Sequence, residues 1–299
     1  MFQNPPPQTP GAPLPPAGAG LLLRALFKRG ARTDDPPQLP PTVFACTAPG
    51  LQALARYNAA LGFAPDAQPV SAHYLLVQRA HLASMLAPAF PFRLPGMVHV
   101  ENAIAEHARV APGTPLRLVT QLRIDPPTAS GARFCVLQTT AWDGSTAVFG
   151  CTSKYLALPG RRGGARSAPD PAPALPLFAG WDVGHDAGRA YARVSGDWNP
   201  IHLARPAARL FGLRAPIIHG MHSVAKALAC LEEQGGRVRA VDVRFRSTVP
   251  LGAKVQMLHA PGTAAFALVC EGRLAVEGEV AFTPAQGGCA RENPATMVF

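Results

Sequence analysis

The period of hydrophobic and polar positions changes several times along this 299-residue chain, and the changes divide it. From Thr42, TVFACTA has the composition of a strand, and LQALARYNAALG has the spacing of a helix stopped by Gly62. SAHYLLVQRAHLASMLAPA predicts a second, longer and more apolar helix; FPFRLPGM after it is punctuated by Pro and Gly as a crossing segment. Four β-like runs come next, VHVENAIAEHARV, PLRLVTQLRI, ARFCVLQTTAW and TAVFGCTSKYLAL, parted by turn signals at APGT, DPPTASG and DG. Further along the order returns. HSVAKALACLEEQGG predicts a helix closed by Gly235, followed by VRAVDVRFRSTV, AKVQMLHA, AAFALVCEG and LAVEGEVAFTP. In the first of these runs Val241, Val243 and Phe245 alternate with Asp242, Arg244 and Arg246, as a half-buried strand requires.

The chain therefore reads as two similar halves. Pro69 before the first long helix matches Pro216 before the second, and VAPGTPL from Val110 echoes VPLGAKV from Val249. Residues 1–41 are rich in Pro, Gly and Ala and read as a mobile arm, within which GLLLRALFKRGAR can form a short basic amphipathic helix. Residues 42–158 form a first half, 159–176 a linker, 177–285 a second half and 286–299 a loosely packed tail.

Composition narrows the class. With 48% apolar and 15% charged residues the chain can bury sizeable cores, and a net charge of +10 favours an anionic partner. No run interleaves basic with aromatic residues as a nucleic-acid surface would, so nucleic acid is not the expected partner. Six cysteines occur without a C-x-x-C pair, which indicates neither a zinc site nor a disulfide framework and fits reduced thiols in a cytoplasm. The apolar run from Gly20 to Phe27 is too short to span a bilayer. Phosphate-binding glycine motifs and a G-x-S-x-G elbow are absent. His73, His81, His99 and His107 show no metal-ligand spacing, so structural roles are expected and no metal is called for.

The candidate chemistry is concentrated in YARVSGDWNPIHLARPAARLFGLRAPIIHGM, Tyr191 to Met221. Gly196 frees the turn before Asp197, and Pro200 pushes Asn199 out of the helical region, so Asp197 to His202 are expected as an extended loop on which acid and imidazole converge. Gly220 should open the following helix, where a residue without a side chain lets a carbonyl oxygen reach unpaired amides.

Tyr191, Val194-Ser195-Gly196-Asp197, Asn199-Pro200-Ile201-His202 and Ala208 resemble the hydratase-2 motif of the MaoC-like (R)-specific enoyl-CoA hydratases, with His219-Gly220-Met221 similar to the same family's helix entry. The resemblance covers about thirty residues directly; beyond them it is one of element order, helix then antiparallel meander, over residues 42 to 285. It implies an α+β, tandem (double) hot-dog fold, in which each sheet wraps a long helix. It further implies water addition across a 2-enoyl thioester, with Asp197 and His202 as proton-transfer partners and the Gly220 amide as donor to the thioester oxygen. Asn199, Ser195, His219 and Met221 would contact substrate or fix the loop. No cofactor is implied beyond coenzyme A, or phosphopantetheine, as the substrate's own handle; a homodimer is compatible with the fold. The alternatives are an acyl-CoA thioesterase, a 3-hydroxyacyl carrier-protein dehydratase and a noncatalytic acyl-binding subunit. In the first half Ala72, His73 and Tyr74 replace the helix-entry residues, and Ser71 stands where an imidazole is needed after Asp66. One site per chain is therefore expected, its acyl pocket lined by Leu75, Leu76, Leu82 and Met85 of the first half.

Overall fold

The computed structural model describes residues 11–28, 30, 39–158 and 171–283. Most of the expected linker, the tail and the first ten residues of the arm lie outside them. In the first half β2 (Thr42–Thr47) leads to α2 (Leu51–Leu61), a single 3-10 turn at Val70–His73, and α3 (Tyr74–Met85). The four strands expected after α3 are β3 (Val98–Glu106), β4 (Pro115–Ile124), β5 (Arg133–Asp143) and β6 (Thr146–Leu158). The second half runs β7 (Leu177–Asp182), α4 (Ala187–Ser195), α5 (Arg205–Leu210), α6 (Gly220–Glu233), β8 (Val238–Phe245), β9 (Lys254–His259), β10 (Ala265–Cys270) and β11 (Arg273–Phe282). Ahead of both lie β1 (Ala12–Pro13) and α1 (Ala19–Phe27).

All strands join one sheet in the order β1-β2-β4-β5-β6-β3-β8-β11-β10-β9-β7. Read outward from β3 and from β8, the two halves repeat the same internal order. The seam between them is antiparallel, Glu101 opposite Arg244 through Ala105 opposite Ala240, with the Ala103–Asp242 pair at its centre. A local two-fold through that pair relates the halves, so Glu106 on β3 corresponds to Phe245 on β8. Each half lays its long helix on its sheet: α3 buries Val77 and Ala80, and α6 buries Val224, Ala225, Ala227 and Leu228, none with measurable exposure. A buried Leu or Val of this kind contributes about 1.5–3 kcal/mol. The architecture is the α+β double hot-dog. Among the described residues no helix is long and apolar enough to cross a membrane.

The arm departs from expectation in residues 11–28, which are docked rather than mobile. Ala12 and Pro13 pair in parallel with Phe44 and Ala45 of β2, Leu14 is buried in the main core, and α1 buries Leu21 and Ala25. A proline-rich segment can do this because it needs few amide donors of its own while its carbonyls accept from β2 and from a side chain. Arg79 on α3 supplies that side chain, donating from Nε to Pro15 O at 2.8 Å and from a guanidinium nitrogen to Leu14 O at 3.3 Å. Arg79→Met keeps most of the apolar stem and loses both bonds; urea unfolding should show a loss of about 1.5–3 kcal/mol, the worth of hydrogen bonds from a charged donor. An unchanged midpoint would show that the arm is held by its apolar contacts alone.

Candidate active site

Gly196 ends α4 in the left-handed region, φ 74°, which turns the chain toward the site without strain. A ladder of side-chain caps then fixes the loop. Ser195 Oγ accepts the Asp197 amide at 3.2 Å, Asp197 Oδ1 accepts the Asn199 amide at 3.1 Å, and Asn199 Oδ1 accepts the Ile201 amide at 3.4 Å. Asp197 to Asn199 form a loop as expected, but Pro200–His202 form one 3-10 turn in place of extended chain. The Asn199 cap satisfies the Ile201 amide, and the fixed φ of Pro200 suits a first helical position. α4 presses directly on this turn, since a side-chain carbon on Gly188 would lie 2.1 Å from His202 O.

Asp197, His202 and His219 converge, their nearest side-chain heteroatoms all within 4.8 Å of one another. His202 is buried, and its Nδ1–H donates to Ile217 O at 2.9 Å, which leaves Nε2 as the lone-pair nitrogen of the neutral ring. His219 stacks on it with centroids 3.7 Å apart and donates from Nε2 to Asp197 O at 3.0 Å, with Asp197 Oδ2 at 3.9 Å. Tyr191 packs against His219 and His222, at 4.9 and 5.5 Å between centroids. The Asp197 side chain keeps 33% of its surface exposed, so the acid faces an opening while both imidazoles are enclosed. Gly220, also exposed, is the first residue of α6, where amides lack helical acceptors. A side-chain carbon there would strike Phe245 at 2.5 Å, so the glycine is required by the ring beside it.

Burial lowers the His202 pKa, against the opposing pull of Asp197 and the Ile217 carbonyl. His219 is held down to about 3 by burial and by the adjacent His202 ring, and His222 to about 4 by burial and Lys226. In the first half burial takes His81 to about 3 and His99 to about 4. These groups bind protons more readily unfolded than folded, so the stability they contribute is complete above about pH 6.5 and is lost as pH falls toward their folded values. Melting temperature should therefore drop between pH 7 and pH 5, with a limiting slope of about 1.4 kcal/mol per pH unit for each such histidine. A melting temperature flat across that range would contradict the buried neutral state.

Of the residues expected at the site, Asp197, His202, His219 and Gly220 are brought together. Asn199 serves the loop. Ser195 and Met221, expected to touch substrate, are buried: Ser195 holds the Asp197 amide, and Met221 lies in the main apolar core. Periodicity gave no signal for Gly188, nor for the first-half residues that reach the site region. These are Gln78, whose amide donates to Ser195 O, and Tyr74, His99 and Tyr155, which stack near Phe245. The Asp197/His202/His219 cluster is small enough to surround an ion, but His219 turns an N–H rather than a lone pair toward Asp197, a poor fit to a metal ligand. At the equivalent place in the first half, His73 pairs with Glu106 at 3.2 Å, and Arg237 bonds both Glu106 and Gln68 O. Burial pushes the Glu106 carboxyl up, but His73 and Arg237 outweigh it and hold the pKa below the usual value. A charged plug thus stands where the second half has Gly220 and Phe245.

Fold and site together define a double hot-dog protein with an acid-imidazole loop at the entry of its second long helix. Residues 175–260, most of the second half, match the family model for the MaoC like domain. The chain is 42% identical over 74 residues to 3-hydroxyacyl-thioester dehydratase X of Mycobacterium tuberculosis, a match spanning 25% of this chain and 26% of that protein. The crystal structure of HtdX from Mycobacterium tuberculosis superposes with a TM-score of 0.64 at 26% identity, covering 79% of this chain and 98% of that one. A Mycobacterium tuberculosis protein described as having a double hot-dog fold matches at TM-score 0.52 and 15% identity, over 86% of this chain and 96% of that one, a likeness of fold alone.

Proposed function

We propose that the chain catalyses reversible hydration of trans-2-enoyl thioesters to (R)-3-hydroxyacyl thioesters, in coenzyme A-linked fatty acyl metabolism. The observation that carries this reading is the convergence of Asp197 and His202 beside the exposed amide end of α6, with His202 Nε2 free of any structural bond. The dehydratase name of the similar mycobacterial protein supports it. One water sits between Asp197 and His202. Neutral His202 takes a proton through Nε2 as the water oxygen bonds to Cβ and the π pair moves toward the thioester. The Gly220 amide donates to the enolate-like oxygen, Asp197 orients the water and stabilises the imidazolium, and the same proton passes to Cα. No metal or redox step enters.

Residues 177–285 carry this site and residues 42–158 are its noncatalytic partner, because the charged plug around Glu106 fills the equivalent place. Incubation with a 2-enoyl-CoA tests the reading. Loss of the conjugated-thioester absorbance without release of free thiol is expected; thiol release would identify a thioesterase, and neither signal would leave an acyl-binding subunit.

A further inference from the structure

We propose that the acyl chain lies along a polar belt inside the first half, and that the chain this belt selects carries a hydroxyl or keto oxygen beyond the reacting carbons. This rests on the hydratase reading and adds to it the class of acyl group. The belt crosses the sheet face beneath α3. Thr120 and Thr139 are ladder partners with hydroxyls 2.8 Å apart, and His81 of α3 bonds Thr139 through Nε2 at 3.0 Å. Two ladders along the sheet, on β3 and β6, Asn102 donates to Ser153 Oγ at 2.8 Å. These five side chains are at most 1% exposed. They divide the apolar interior, with Leu118, Ile104 and Phe149 on one side and Leu122, Leu137, Met85 and Phe90 on the other. Leu76 and Met85, expected to line the pocket, thus belong to separate apolar clusters with polar groups between them.

A plain fatty chain gives no reason for such a surface, and the sheet face of the second half does without one, its enclosed polar atoms His219 Nδ1, His222 Nδ1 and Ser223 Oγ lying at the start of α6. Across the seam two-fold, Asn102 corresponds to Val241, and the second half buries Val243, Met257, Leu268 and Ala275 under α6. The belt is also incompletely satisfied. His81 Nδ1, Asn102 Oδ1 and His99 Nε2 are enclosed and have no partner among the described residues. An enclosed polar atom without a partner destabilises a fold, so each of these atoms is a place where a ligand atom can bond. A hydroxyl, both donor and acceptor, is the smallest group that can bond any one of them.

The belt starts at the proposed reaction centre. Phe245, the ring against Gly220, packs on His99 with centroids 5.1 Å apart; His99 stacks on Tyr155 at 4.6 Å, and Tyr155 meets the edge of His81 at 6.4 Å. Tyr74 ties the start together, its hydroxyl 3.2 Å from that of Tyr155. Beside His81, α3 turns Val77, Ala80, Ser84 and Met85 toward the core.

The test compares, on the full chain, trans-2-dodecenoyl-CoA with the same thioester carrying a mid-chain hydroxyl, and in parallel the thermal shift given by the saturated twelve-carbon acyl-CoA with and without that hydroxyl. Wild type should favour the hydroxylated substrate about tenfold in kcat/KM, the worth of one well-made hydrogen bond. Thr139→Val and Asn102→Leu should each bring the ratio near unity, and the shift should follow the same order. Equal or better use of the plain chain by wild type, or variants that keep the preference, would overturn the proposal. If no thioester is hydrated, crotonyl-CoA included, the hydratase reading fails; the thermal shifts still decide whether the belt binds oxygenated chains.

Discussion

Asp197→Asn and His202→Asn should each abolish most turnover, lowering kcat/KM for a 2-enoyl thioester by about 100- to 10,000-fold, the range for one positioned proton-transfer group. Asparagine at 202 is the sharper choice than alanine. Its amide can reproduce the donation that His202 Nδ1 makes to Ile217 O, so the loop keeps its anchor while Nε2 disappears. The Asp197 substitution keeps an oxygen to accept the Asn199 amide, which preserves the cap. Both variants should therefore melt within a few degrees of wild type. Near-normal turnover in either would remove that residue from the chemistry. With its pKa lowered by burial, His202 stays neutral through the neutral range, so wild-type activity should hold there and fall only as acid protonates Nε2.

Gly220→Val should cost about 100- to 1000-fold in kcat, as loss of an oxyanion donor does. Two effects must be separated, because the new Cβ would lie 2.5 Å from Phe245 Cε1 and the ring has to move. Gly220→Ala combined with Phe245→Leu makes room for the added methyl. If the donor's accessibility is what matters, that double variant recovers stability relative to Gly220→Ala alone while activity stays low. Full recovery of kcat would assign the glycine to packing and take the oxyanion role away from it.

What could be read from residues alone follows from which interactions are local. β4 and β8 alternate and α6 keeps one apolar face, so runs such as Val241-Val243-Phe245 declare themselves. Asp197, Asn199 and His202 were legible because Gly196 and Pro200 constrain the backbone that carries them. The docking of residues 11–28 leaves no sequence signal because β1 owes its order to β2 and Arg79, partners remote in sequence. Ser195 and Met221 fell within the right stretch, but whether a side chain faces a ligand or the core depends on packing that spacing does not encode. His99 and Asn102 sit on a strand whose alternation is interrupted between His99 and Glu101, so no simple period puts both on the inner face.

The seam at Ala103 and Asp242 limits how this protein can be taken apart. Because β3 and β8 are neighbours within one sheet, cutting between the halves leaves a row of unpaired amides and carbonyls along each of them. A separately produced second half would carry Asp197, His202 and Gly220 intact, yet its bare β8 margin would need another strand. A second β8 from an identical fragment offers the same antiparallel geometry about the same two-fold, and such a pairing would place two complete acid-imidazole loops in one assembly in place of one loop and one charged plug.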